Sequence, residues 1–172
     1  HEKRNTYDPA IILYSGGTTG TPKGVCLSNL NFNAPALQAK YVSEVVTTEN
    51  AFLTFLPNFH CFGLGICTHI PLYWGMRVVL IPQFNAKKIK SYIRKYHFNI
   101  LCGVPTLYEY ISKLKFRKNE LKCIKMAVSG GDAMSQNLME RVNQTLKKYG
   151  SDATMQIGYG LSETSGVVSF SP

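Results

Sequence analysis

The stretch Tyr14-Ser-Gly-Gly-Thr-Thr-Gly-Thr-Pro-Lys-Gly24 gathers glycines, hydroxyls and one lysine. Glycine lets a backbone turn sharply and come close to a ligand. Exposed N–H groups and hydroxyls can then donate to phosphate oxygens, and Lys23 adds a positive charge. The plain alternative is a Gly-rich turn between two strands; the hydroxyls and the lysine at fixed offsets favour phosphate capture. The stretch is not a Walker A loop, which needs Gly-Lys-Ser/Thr running into a helix. Here Lys23 stands between Pro22 and Gly24. Three other segments carry chemistry-bearing residues. His60 lies in Leu56-Pro-Asn-Phe-His-Cys-Phe-Gly63, between apolar neighbours where a histidine is often structural. Ser129-Gly-Gly-Asp132 also reads as an ordinary strand-to-helix turn. In Gly158-Tyr-Gly-Leu-Ser-Glu-Thr164, Glu163 alone reads as an acid favoured by a helix N-terminus.

In their order these segments resemble the signatures of the adenylate-forming superfamily. That superfamily includes acyl-CoA synthetases, luciferases and the adenylation domains of peptide synthetases. Residues 14–24 resemble its phosphate-binding loop. Gly16 stands where many members have Ser, a form found among fatty acyl-CoA synthetases. The segment around His60 resembles Phe-His-x-x-Gly, whose histidine lines the carboxylate end of the acyl pocket. Amino-acid-activating relatives usually have Asp in that pocket, so His60 implies a plain carboxylic acid. Residues 158–164 resemble Tyr-Gly-x-Thr-Glu, with Ser162 in place of Thr and the hydroxyl kept. Gly103-Val-Pro-Thr-Leu-Tyr108 also looks closest to the fatty acyl-CoA synthetase branch.

The resemblance implies roles. Ser15, Gly16, Gly17, Thr18, Thr19, Gly20 and Lys23 would hold the phosphates of ATP. Tyr159 would lie against adenine, with Gly130 and Gly131 flanking it and Gly158 and Gly160 shaping the turn. Ser162 would contact phosphate. Glu163, with Ser15, would hold Mg²⁺, which prefers hard oxygen ligands. Lys23, His60 and Glu163 are the residues expected to carry catalysis. The implied reaction has two steps. A fatty acid carboxylate attacks the α-phosphorus of ATP to give acyl-adenylate and pyrophosphate, and CoA then takes the acyl group. The expected unit is 1–172 as the central part of one large N-terminal domain. No ribose-binding Asp motif, hinge or small C-terminal domain with its catalytic lysine is seen, so the 172 residues alone are expected to be inactive or nearly so. A non-catalytic relative that binds nucleotide or acyl ligand is the main rival reading.

Composition sets further bounds. At 172 residues and 45% hydrophobic content the chain can bury a core. It has no run of 18 apolar residues. It starts at His1 without Met, in a polar stretch with no signal-peptide core, which reads as a piece of a longer protein. The five cysteines are odd in number and sit mostly in apolar runs, suggesting buried, reduced thiols and a cytoplasmic setting. His60, Cys61, Cys67 and His69 lack the tight Cys pairs of zinc sites. Net charge is +9. Lys87, Lys88, Lys90, Arg94 and Lys95 form one basic run, and Lys113, Lys115, Arg117 and Lys118 another. Tyr92 and Tyr96 near the first run fall at core spacing, so a basic nucleic-acid-binding module is not expected. Small anions such as ATP and CoA are the expected partners. Peripheral membrane association and oligomeric state stay open.

The elements that must position these residues alternate. Strands are expected at 10–15 and 24–27. A helix over 30–46 is capped by Ser28 or Asn29 and interrupted or bent near Pro35. The continuous apolar run 51–56 suggests a strand covered on both faces. Residues 58–65 open a helix to about Trp74, stopped by Gly75. Strands follow at 77–81, 100–102, 124–128 and 154–157, the last clear one. Helices lie between them, over 85–97, from Leu107 to Leu114, and from Ser135 to Tyr149. Residues 116–121 read as a charged surface connection. This alternation is the pattern of an α/β fold with a mostly parallel sheet of βαβ units. Ligands in such sheets gather beyond the carboxyl ends of the strands. Segments 14–24, 58–63, 129–132 and 158–164 all follow strand ends, so the topology lets them share one cleft.

Overall fold

The structure is a computed structural model that describes residues 5–16 and 21–171. It opens with an antiparallel hairpin of β1 (Pro9–Ser15) and β2 (Lys23–Ser28). Helix α1 (Asn29–Val42) follows directly. Ser28 closes a reciprocal cap with Asn31: its hydroxyl accepts from the Asn31 N–H at 3.2 Å, and the Asn31 side chain accepts from the Ser28 N–H at 3.1 Å. The helix runs through Pro35 as one element and ends four residues earlier than expected, at the extended Ser43.

A six-stranded sheet forms the body, in the order β4-β3-β5-β6-β7-β8. Its strands are β3 (Ala51–Thr54), β4 (Arg77–Leu80), β5 (Ile100–Gly103), β6 (Met126–Ser129), β7 (Met155–Tyr159) and β8 (Ser169–Phe170). The first four neighbour pairs in that order are parallel, and β8 pairs antiparallel with β7. The expected parallel α/β sheet is therefore present, with one antiparallel edge strand that the sequence pattern did not reveal. A two-residue strand has too little periodicity to be read.

The chain steps from β3 to β4 on one side, then places β5 on the other side of β3. Right-handed crossovers then put helices on opposite faces. The connection after β3 holds a π-helix (Phe62–His69) and α2 (Ile70–Tyr73), and packs with α1 on one face. Helices α3 (Ile89–Tyr96), α4 (Pro105–Ser112) and α5 (Gln136–Lys148) cover the other. Side chains along the strands alternate between the two layers. Ile100, Cys102 and Val128 face the α1 layer, while Leu101 and Ala127 face the α3–α5 layer.

The α3–α5 layer holds the larger core. Leu53, Ile89, Phe98 and Leu121 are almost fully enclosed there, and each such side chain contributes about 1.5–3 kcal/mol of burial. Tyr108 lies in the same layer with its hydroxyl inside the sheet, donating to the carbonyls of Leu101 at 2.6 Å and Val128 at 3.0 Å. Burial pushes its phenol pKa well up. Segment 116–121 is not purely surface: Phe116 and Leu121 are buried beneath its charged residues. Cys26 corrects another expectation. It is exposed on β2 because it lies on the outward side of a half-covered hairpin; Cys61, Cys67 and Cys102 are buried. Burial, with Cys102 as neighbour, pushes the Cys67 thiol pKa up. No described helix is long and apolar enough to cross a membrane.

Candidate active site

The reversal of strand order between β3 and β5 opens a crevice at the carboxyl ends of the strands. A cavity of about 270 Å³ runs under α1 along the face of the sheet, from Ile100 and Met126 at the start of β5 and β6 to the glycine turns after β6 and β7. Its wall is mostly apolar, with Val42, Phe52, Ile66, Ile100, Met126 and Val128 among the lining. His60, Gly130, Gly131, Gly158 and Gly160 line it as well. The structure thus brings together residues from three segments that are distant in sequence.

Close backbone packing explains the glycines. A Cβ on Gly63 would lie 2.2 Å from the carbonyl oxygen of Pro57, and one on Gly160 would lie 2.1 Å from that of Gly166. Real side chains never approach so closely, so both positions exclude Ala without backbone movement. The π-helix that Gly63 enters is a wide-turn form often found at functional sites. The hydroxyl of Thr54, at the end of β3, donates to the Cys67 carbonyl within it.

His60 sits just before this helix and is exposed. Its Nδ1 accepts from the Phe62 N–H at 3.1 Å, which leaves Nε2 of the neutral ring to donate. The turn after β7 is stapled onto itself. The Gly166 N–H donates to the Leu161 carbonyl at 3.0 Å, and the Val168 N–H to the Tyr159 carbonyl at 2.7 Å. Ser162–Thr164 forms a 3₁₀ turn inside it. The Ser162 hydroxyl donates to Cys61 Sγ at 3.8 Å and so ties this turn to the His60 segment. Tyr159 and Glu163 are exposed on it. Gly130 follows β6, and its N–H donates to the Gly103 carbonyl at 3.1 Å. Ser129 before it is fully buried, and its Oγ has no hydrogen-bond partner among the described residues.

Ser15, Gly16 and Lys23 do not line the cavity. Ser15 and Lys23 pair at the loop end of the β1–β2 hairpin, with Lys23 exposed. That hairpin packs against the Ser162–Thr164 turn. A Cβ on Gly16 would meet no atom within 4 Å among the described residues. Gly17, Thr18, Thr19 and Gly20 lie outside the described residues. Glu163 makes no hydrogen bond or ion pair among the described residues, so its carboxylate oxygens are available to a hard cation such as Mg²⁺.

The sequence did not point to several lining residues. Pro35, Val42 and Val46 come from α1 and its C-terminal extension, and Cys61, Gly166 and Phe170 from elsewhere. Cys61 at least lay inside the 58–63 segment expected at the cleft, and Gly166 stood soon after the 158–164 segment. His69 is not part of the site. It stacks on Phe32 with ring centroids 4.3 Å apart, and its Nε2 lies 3.1 Å from Asn33 Oδ1. Burial lowers its pKa.

Residues 1–172 match the AMP-binding enzyme family throughout. The chain belongs to that family. A long-chain-fatty-acid–CoA ligase of Bacillus subtilis (strain 168) is 31% identical over 163 residues, covering 94% of this chain and 28% of that protein. The 4-coumarate–CoA ligase-like 3 protein of Arabidopsis thaliana is 32% identical, covering 96% of this chain and 29% of its own length. The ATP-bound structure of MatB from Rhodopseudomonas palustris superposes with a TM-score of 0.84 at 25% identity, covering 98% of this chain and 32% of that one. This AMP-binding chain therefore spans under a third of the length of these relatives, and its α/β fold is theirs.

Proposed function

We propose that the full-length polypeptide carrying this chain activates an aliphatic carboxylic acid. ATP would supply the adenylyl group, pyrophosphate would leave, and the acyl group would pass to CoA as a thioester. The observation that carries this reading is the apolar cavity of about 270 Å³ with His60 and the glycine turns in its lining. An aliphatic tail fits walls built from Val42, Ile66, Ile100, Met126 and Val128. The carboxylate would then lie near His60, where Nε2–H can donate to it. The similarity to a fatty acid ligase supports the same substrate class, and the similarity to a 4-coumarate ligase-like protein keeps aromatic acids in the test.

On this reading Tyr159 offers an exposed ring to the adenine, beside Gly130 and Gly131. Lys23 and Ser15 flank the phosphates, together with Gly16 to Gly20. Glu163 would hold Mg²⁺, which neutralises charge on the phosphates as the α-phosphorus is attacked. The protein's own task is positioning and charge stabilisation. The chain would form the central part of the large N-terminal domain, with the rest of the catalytic apparatus elsewhere in the polypeptide. Free cysteines and soluble cosubstrates support a cytoplasmic setting.

The test is carboxylate-dependent ATP–pyrophosphate exchange by the full-length polypeptide, using acids from acetate to palmitate, 4-coumarate and several amino acids. Exchange with aliphatic acids is expected. Exchange with amino acids alone would overturn the role given to His60, and exchange with 4-coumarate alone would replace the substrate class. The rival is a non-catalytic ligand-binding relative. It is excluded if exchange occurs and Glu163→Gln lowers it; ATP binding with no exchange for any acid establishes it.

A further inference from the structure

Ten of the chain's 19 basic residues lie between Lys87 and Lys122. Lys87, Lys88, Lys90, Arg94 and Lys95 lie on α3 and the 3₁₀ turn that starts it. Lys113, Lys115, Arg117, Lys118 and Lys122 follow α4. The two groups form one patch. Lys90 Nζ donates to the Lys115 carbonyl at 2.7 Å and stands over the Phe116 ring, and Arg94 pairs with Glu120 at 2.7 Å. Glu109 and Glu120 are the acids of residues 87–122. Both are consumed, Glu109 by Lys113 and Glu120 by Arg94. Eight cations remain without an acidic partner among the described residues, nearly the whole net charge of +9.

Helix stability does not account for this arrangement. A helix dipole favours cations in the last turn, which covers Arg94 and Lys95. Lys87 and Lys88 stand at the opposite end of α3, where the same dipole disfavours them. Like charges packed on one surface also repel. The patch thus opposes folding locally.

We propose that this surface docks the protein onto an anionic phospholipid membrane. Seven of the eight unpaired cations are lysines, compact point charges that suit a diffuse field of headgroups. Nucleic acid fits less well, because the aromatic side chains of the patch do not form a stacking platform. Tyr92 and Tyr96 pack with Phe84 against the core, and Phe116 is buried beneath Lys90. The patch belongs to the α3–α5 layer, and the apolar cavity opens on the α1 layer across the sheet. Docking therefore leaves the cavity clear of the lipid headgroups. The proposal does not depend on the reaction assigned above.

The experiment is sedimentation of the full-length polypeptide with vesicles of phosphatidylcholine alone and with about 30% phosphatidylserine. A parallel filter-binding assay uses single- and double-stranded RNA. Expected are binding only to the anionic vesicles, weakening as salt rises, and an approximately tenfold or greater loss in a Lys87, Lys88, Lys118, Lys122→Gln variant. These side chains are exposed and bear no structural bond, and circular dichroism of the variant checks its fold. Absence of vesicle binding, equal binding to neutral vesicles, or full binding by the variant overturns the proposal. So does RNA binding that the same substitutions abolish while vesicle binding persists.

Discussion

The hydroxyl of Ser162 reaches the thiol of Cys61 at 3.8 Å, across 101 positions of sequence. This contact fixes the turn after β7 to the segment that presents His60. Two parts of the site that would serve different substrates are thereby held in one register.

Ser162 has a second expected partner in a phosphate oxygen. Ser162→Ala in the full-length polypeptide should lower kcat/KM for ATP in pyrophosphate exchange by about 10- to 100-fold, the weight of a hydrogen bond to a charged group. Ser162→Thr keeps the hydroxyl and should retain most of the activity. Equal loss in both variants would point to packing against Cys61 instead.

Gly160→Ala puts a methyl group where the Gly166 carbonyl oxygen already stands, 2.1 Å from the added carbon. The turn must open, costing about 1–3 kcal/mol as overpacking does, and exchange activity should fall with it. Urea unfolding of the full-length protein measures the first effect. An unchanged midpoint with full activity would show that the turn is not held as described.

Tyr108→Phe removes a buried hydroxyl from two strand carbonyls, those of Leu101 and Val128. The expected cost is about 1–2 kcal/mol in urea unfolding. KM values should not move, because the Tyr108 ring packs in the α3–α5 layer and does not line the cavity. A shift in KM without a loss of stability would contradict this placement.

Acid should weaken the protein in two windows. Burial lowers the pKa of His69 from 6.5, so folding favours its neutral ring. Its contribution is full above about pH 6.5 and is lost as pH falls through the lower folded value. Glu109 is lowered by Lys113, through hydrogen bond and charge. For Glu120, burial works upward but is outweighed by the Arg117 N–H and by Arg94. Their contributions are present above about 4.5 and are lost below it. Urea midpoints measured from neutral to acid pH should show both declines. His69→Gln should remove the upper one and leave the lower.

Much of the fold was legible. The apolar runs at 51–56 and 100–102 marked the central strands, observed as Ala51–Thr54 and Ile100–Gly103, and the spacing of Leu138, Val142 and Leu146 marked α5. The continuity of α1 through Pro35 was not, although Ser28 was named as its cap: a proline removes one backbone donor, and its neighbours still carry the helix past it. The π-helix was hidden as well, since its residues have the composition of any apolar helix and only Gly63 against Pro57 gives it away. At the site, His60, Gly130, Gly131, Gly158 and Gly160 could be named beforehand, and they share the lining of one cavity. The wall supplied by α1 could not, because contact between α1 and β5 or β6 is a property of the layer arrangement.

The turn between β7 and β8 carries a thermodynamic consequence. Its own backbone closes it, with bonds from the Gly166 N–H to the Leu161 carbonyl and from the Val168 N–H to the Tyr159 carbonyl. A flexible loop spends part of its binding free energy on becoming ordered. Here that entropy was surrendered at folding, so a molecule seated against Tyr159 and Ser162 keeps more of its interaction energy as affinity.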